Sequence, residues 1–201
     1  MGVPYESSGR TRQKSRTRQA LLDACRELLE HGLTPTVEDA AEQAGVSRTT
    51  AYRYFPNQRS LIEAAQPQLQ PDTLLDDDAP TEVRARLDAF MSAFTRYNLH
   101  WEPQLRAALR VSLEPTGERP MLRGGRAIGW IEQALAPLRE TDPHIDVHEL
   151  ALAIRSATGI ETLLWLRDVA GQTSDEAERT VRRTAAALLD AALRVTTEPD
   201  Q

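Results

Sequence analysis

Arg48, Thr49, Thr50, Tyr52 and Arg53 fall within six consecutive positions, and the glutamates and lysines that usually fill a solvated helix face are missing among them. Each of these types can address a DNA duplex. Arginine pairs with the acceptors of guanine, threonine hydrogen-bonds a base edge or touches a thymine methyl, and tyrosine reaches a phosphate. The competing reading is a functionless helical hairpin with a surface tyrosine. The surrounding residues favour the first.

To present such a row, a short helix must be held rigidly, and residues 36–61 (T-V-E-D-A-A-E-Q-A-G-V-S-R-T-T-A-Y-R-Y-F-P-N-Q-R-S-L) contain what this requires. Thr36 with Asp39 is a capping signature, which predicts a helix over Val37–Gln43. Ala41 is small enough for a close helix crossing, and Gly45 can take the positive φ that a tight turn needs. Val46 plugs the space between the helices. Ser47 caps a second helix over Arg48–Tyr54, which Pro56 stops. Ala51, Phe55 and Leu61 are then the core-facing residues, and Asn57 caps a further helix. The arrangement is a helix-turn-helix whose second helix turns its first residues to the groove.

The net charge of −6 runs against a DNA-binding role, but the charge is unevenly distributed. The first 18 residues hold five basic side chains (Arg10, Arg12, Lys14, Arg16, Arg18) against one acid, Glu6. The positive charge sits at one end, where a phosphate backbone would meet it.

The 201 residues suit one small domain and one medium one. Ala, Leu, Arg, Glu and Asp dominate, only 5% of residues are aromatic, and β-branched runs are absent, so the predicted fold is all-α. Residues 1–13 read as a disordered basic arm, 14–65 as the helix-turn-helix domain, 66–80 as a linker with Pro67, Pro71, Pro80 and the acidic run Asp76–Asp78, and 81–201 as a second helical domain. Helices are expected over 14–30, 81–98, 102–113, 121–139 (with Pro137 bending or shortening its last turn), 146–170 and 173–195, the last opened by a capping box from Thr173 to Glu176. Pro115, Gly117 and Pro120 interrupt between the second domain's second and third helices.

Residues 14–65 resemble the N-terminal domain of the tetracycline-repressor (TetR) family. The likeness runs through a basic first helix with A-L-L-D-A, then T-V-E-D-A-A-E-Q-A-G-V-S, then A-Y-R-Y-F-P, then a capped fourth helix. It implies nine helices: a head, a connecting fourth helix, and five around a ligand pocket. It further implies a homodimer joined through the last two helices, 146–170 and 173–195, and a small-molecule effector of unknown identity. Carried over by position, Thr36 resembles a cap that touches a phosphate. Tyr52 and Tyr54 resemble backbone contacts, and Arg48, Thr49 and Thr50, behind the Ser47 cap, resemble residues at base edges. Lys14 and Arg16 are expected to serve the backbone. Gln58 stands where a lysine is common, so its phosphate contact is expected to pass to Arg59, and Ala40 replaces a larger aliphatic.

The second domain collects most of the aromatics. Phe90, Phe94, Tyr97, Trp101, Trp130 and Trp165, with Asn98, Thr158 and Glu161, are the candidate ligand residues, and plain core packing is the alternative for each. Glu161 could pair with Arg155 or meet a cationic ligand. Arg123-Gly-Gly-Arg126 is a candidate hinge. His144 and His148 lack a third clear metal ligand nearby, so no metal or other cofactor is expected. No G-x-S-x-G, P-loop or dinucleotide fingerprint supports an enzyme. With no apolar run of membrane-spanning length and a single cysteine, Cys25, the expected compartment is the cytoplasm. The expected function is a repressor released from a palindromic DNA site by a small molecule. Its alternatives are an activator or a partner-controlled regulator with the same head, or an all-helical binding protein or enzyme whose head is vestigial.

Overall fold

The computed structural model describes residues 5–65, 72–113 and 126–194, with the backbone alone for residues 5–12 and Arg126. The regular structure in these residues is helical: α1 (Tyr5–Glu30), α2 (Val37–Gln43), α3 (Arg48–Tyr54), α4 (Gln58–Ala65), α5 (Val83–His100), α6 (Glu102–Ser112), α7 (Arg126–Ala134), α8 (Leu138–Thr141), α9 (Val147–Thr158), α10 (Ile160–Asp168) and α11 (Ser174–Arg194). No helix among the described residues is long and apolar enough to cross a membrane. The candidate hinge Arg123–Arg126, the interruption at Pro115–Pro120 and the linker prolines Pro67 and Pro71 lie outside the described residues or at their edge.

The chain forms two compact units. The first comprises Met1–Leu69 with Trp101–Pro120, and the second Gln70–His100 with Met121–Gln201.

In the first unit, α1 starts at Tyr5, although the sequence predicts a disordered arm as far as Gln13. The reason is cooperative. Glu, Arg, Gln and Lys are good helix formers, and once the packed part of α1 exists, each added residue gains a hydrogen bond without a new nucleation cost. Leu21, Leu22, Cys25 and Leu29 recur at helical spacing and are buried against Val37, Ala40 and Ala41 of α2, Ala51 and Phe55 at α3, and Leu61, Ile62 and Ala65 of α4. Ala107 and Val111, one helical turn apart, complete this core, so α6 belongs to the first unit although the sequence placed it in the second domain. Burial pushes the Cys25 thiol up to about 12, so it stays protonated and serves as apolar filling.

The α2–α3 turn forms as the sequence requires. Gly45 has φ +64°, and the Val46 N–H donates to the Ala41 carbonyl at 2.8 Å. A Cβ at Gly45 would meet nothing within 4 Å, so substitution there is opposed by backbone conformation alone. Gly45→Ala is therefore expected to cost about 1–2 kcal/mol. Chemical denaturation checks this, and an unchanged midpoint would show that the turn relaxes without a left-handed residue.

In the second unit, Leu87, Phe90, Met91 and Phe94 of α5 pack against Trp130, Ile131 and Ala134 of α7, Leu150, Ala151 and Ile154 of α9, and Val181, Ala185 and Leu189 of α11. Across α5 and α11, the Ser92 hydroxyl donates to Glu178 at 2.7 Å, Arg182 Nε donates to Asp88 at 2.7 Å, and Arg84 pairs with Asp190. Part of the expected linker also joins this core, because Leu74 and Leu75 pack against it while Gln133 donates to the Asp72 carbonyl at 3.1 Å.

Two helices expected to be continuous are broken. The 121–139 pattern divides at Pro137, which has no N–H to donate, into α7 and α8. The 146–170 pattern divides at Gly159, whose backbone is extended (φ −75°, ψ −175°). The Arg155 guanidinium occupies the space where a Gly159 Cβ would stand, and pairs with Glu161 at 3.1 Å. Counting each broken pair as one element, the described residues retain the nine-helix architecture.

Candidate nucleic-acid interface

The interface is built on α2 and α3. Thr36 caps α2 through a reciprocal box: its hydroxyl accepts from the Asp39 N–H at 3.2 Å, while its own N–H and hydroxyl donate to Asp39 Oδ2 at 2.8 and 2.7 Å. The Thr36 N–H and hydroxyl hold the Asp39 carboxyl below its usual range. The expected phosphate role of Thr36 therefore competes with Asp39 for the same hydroxyl proton.

Ser47 caps α3, accepting from the Thr50 N–H at 3.3 Å and donating to Thr50 Oγ1 at 2.8 Å. Among the expected base-contact residues, Arg48 and Thr49 are exposed and Thr50 is half-buried under this cap. Tyr52 and Arg53 are exposed, whereas Tyr54 is half-buried and packs against the head core. Four of the five residues that the sequence turned outward are thus exposed, Thr50 is drawn under the cap, and Ala51 is buried behind them.

The backbone contacts divide. Lys14 and Arg16 are exposed on α1. Arg18, by contrast, lies over the Phe55 ring with its guanidinium carbon 5.5 Å from the centroid. The Gln58 amide donates to the carbonyls of Thr34 and Pro35 at 3.2 and 3.1 Å, tying α4 to the loop before α2. Arg59 is engaged by Glu63 at 2.9 Å. A phosphate taken over by Arg59 would have to draw it from this ion pair.

Sequence reasoning missed one neighbour. Burial, followed by the Glu38 carboxylate in the first turn of α2, pushes the Tyr52 phenol up from its usual range. By position alone, Glu38 reads as ordinary first-turn charge.

Residues 21–65 match the family of bacterial regulatory proteins described as the tetR family. In sequence, the head is similar to the TetR family. Over 51 residues it is 41% identical to the HTH-type transcriptional repressor LfrR of Mycolicibacterium smegmatis, a match spanning 25% of this chain and 27% of that protein. A TetR transcriptional regulator from Rhodococcus sp. RHA1 has the same fold, with TM-score 0.55 and 20% identity over 88% of this chain and 97% of that one. Full-length TylP, a TetR regulator from Streptomyces fradiae, gives TM-score 0.57 and 17% identity over 92% of each chain.

The candidate ligand residues do not form one group. Phe90 and Phe94 are buried and stacked, with centroids 5.5 Å apart, and Tyr97 meets Trp130 edge-on at 5.5 Å. Buried Asn98 and Thr158 bond back to the carbonyls of Phe94 and Ile154 in their own helices. Glu161 is exposed and paired with Arg155, Trp165 is 57% exposed, and Trp101 falls in the first unit. Two hollows of about 400 and 390 Å³ lie elsewhere on the second unit. One sits between α5 and α11 at Leu87, Ala186 and Leu189, and the other around Gly171, Arg179 and Arg183. None of the nine candidates lines either hollow. His148 bonds Glu132 at 2.6 Å, which holds its imidazolium form to higher pH than usual.

Proposed function

We propose that the protein is a sequence-specific DNA-binding transcriptional regulator that acts in the cytoplasm, as a homodimer, on a palindromic site. The observation that carries this reading is the Ser47-capped α3, which presents Arg48, Thr49, Tyr52 and Arg53 outward behind the Gly45 turn. Repression is the proposed sign, following the repressor that the head matches. Release by a small molecule bound in the second unit is the proposed control, and a coupling of roughly 1–3 kcal/mol between ligand and DNA would suffice.

The dimer is proposed to form through α9, α10 and α11. Leu152, Trp165 and Val169 leave large apolar surface exposed on and just after the first two of these helices, and α11 exposes the small residues Ala186, Ala187 and Ala191, over which a partner helix can pack closely. Trp165 is accordingly assigned to the partner contact in place of a ligand contact. Sedimentation tests the assembly: a monomer at micromolar concentration removes the dimer.

Selection of bound sequences from random duplex DNA tests the reading as a whole, and an inverted repeat is the expected product. Lys14→Ala and Arg16→Ala are expected to weaken every sequence alike. Each should flatten the slope of log affinity against log salt by about 0.9 for every phosphate that the variant leaves unneutralised. An unaltered slope would remove these side chains from the backbone contact.

A further inference from the structure

The hollow of about 390 Å³ at the turn from α10 to α11 has Gln172, Glu176, Arg179, Thr180 and Arg183 on its walls. The backbone fixes the turn: Gly171 takes φ +66°, and the Gln172 N–H donates to the Leu166 carbonyl at 2.9 Å. Arg179 and Arg183 are exposed and four positions apart on α11, so their guanidinium groups share one stretch of its surface. Like charges at this spacing repel each other and oppose the helix. Arg182 of the same helix is met by Asp88 and Glu178. Arg179 and Arg183 have no such answer: among the described residues, no hydrogen bond or ion pair holds either guanidinium.

Glu176 supplies the carboxylate of the lining and offsets part of the Arg179 charge. Its Oε2, however, accepts from the Thr173 N–H and hydroxyl at 2.8 and 2.9 Å, closing the box that opens α11. The Thr180 hydroxyl donates to Gln172 Oε1 at 3.1 Å, which leaves the Gln172 amide N–H groups without an acceptor among the described residues. The hollow therefore offers two guanidinium forks and an amide donor, and its lining is net positive in a chain of net charge −6. What it lacks is acceptors. A guanidinium meets two oxygens of a phosphate or carboxylate at once, and a rigid turn lowers the ordering cost of binding. The space is that of a small-molecule site, so the anion carries an organic body.

We propose that this hollow binds a small organic oxyanion, a phosphate ester or a polycarboxylate, through Arg179, Arg183 and the Gln172 amide. The site lies on the second unit alone, so the inference is independent of the DNA-binding reading.

The test titrates the full chain with pyrophosphate and with citrate, against chloride at matched ionic strength. Calorimetry is expected to show saturable uptake at one site per chain, and whichever probe binds more tightly assigns the ligand to the phosphate or the carboxylate class. The Nε–Hε resonances of Arg179 and Arg183 should shift together along the titration, while that of Arg182, already bonded to Asp88, stays in place. Arg179→Gln and Arg183→Gln, both checked for wild-type helicity, are each expected to weaken binding roughly tenfold or more. Arg139→Gln removes an exposed charge of α8 outside the hollow and should leave binding unchanged. An equal loss in Arg139→Gln would reduce the effect to overall charge and overturn the inference. Absence of saturable uptake of either probe at millimolar concentration would also overturn it. A carboxylate of a second copy would answer the same donors. If the wild type takes up neither probe and Arg179→Gln or Arg183→Gln dissociates a dimer in sedimentation, these side chains serve the partner chain and the anion site is refuted.

Discussion

Replacing Phe90 with alanine is expected to lower the unfolding free energy by about 3–5 kcal/mol. The ring is fully buried in α5, stacked on Phe94 at an interplanar angle of 14°, within the core that α7, α9 and α11 close around it. Truncation removes the transfer energy of the ring and leaves a cavity that rigid helices on several sides cannot collapse. Denaturant unfolding followed by circular dichroism measures the effect. The number also bears on ligand binding. A cost below about 1 kcal/mol would mean that the ring borders open space, as it would in a ligand chamber, and that its place is not in close-packed core. The first outcome is expected, because Phe90 and Phe94 touch each other and line neither hollow of the second unit.

Arg48→Ala is expected to reduce affinity for the selected DNA site by about 1–3 kcal/mol, a loss of roughly ten- to a hundredfold, with a much smaller loss on random DNA. Arg48 is exposed in the first turn of α3, where a recognition helix points into the groove, and among the described residues no carboxylate holds it in an ion pair. Arg59 offers the contrast. It spends its charge on Glu63, so Arg59→Ala is expected to matter less than its basic character suggests. Fluorescence anisotropy on the two DNA classes separates the cases. If Arg48→Ala weakens both equally, Arg48 touches the backbone and reads no base.

Local chemistry explains why the head was so readable. The bounds of α2 and α3, the caps at Thr36 and Ser47, the turn at Gly45 and the buried set Ala51, Phe55 and Leu61 all follow from interactions within a few residues of one another. Capping, positive φ and helical periodicity are short-range, so a linear sequence displays them. The same holds for the Thr173–Glu176 box that opens α11.

What the sequence left open depends on partners distant in the chain. Whether Gln58 faces solvent or the carbonyls of Thr34 and Pro35 is a matter of how α4 meets the loop before α2. The effect of the Glu38 carboxylate on the Tyr52 phenol depends on the crossing of α2 and α3. The break at Gly159 looked like one helix because the apolar pattern continues through it, and the side chains of Arg155 and Glu161 close over the gap. The aromatics of the second domain had the composition of a ligand site, but composition carries no coordinates, and packing placed Phe90 in the core, Trp165 at the surface and Trp101 in the other unit. The residue types and the turn that give α3 its outward face were thus determined by the sequence alone, through bonds that span three or four residues. The state of the side chains around it, such as Gln58 committed to the loop before α2, was decided only by tertiary structure, because a hydrogen bond belongs to whichever group the fold brings within reach.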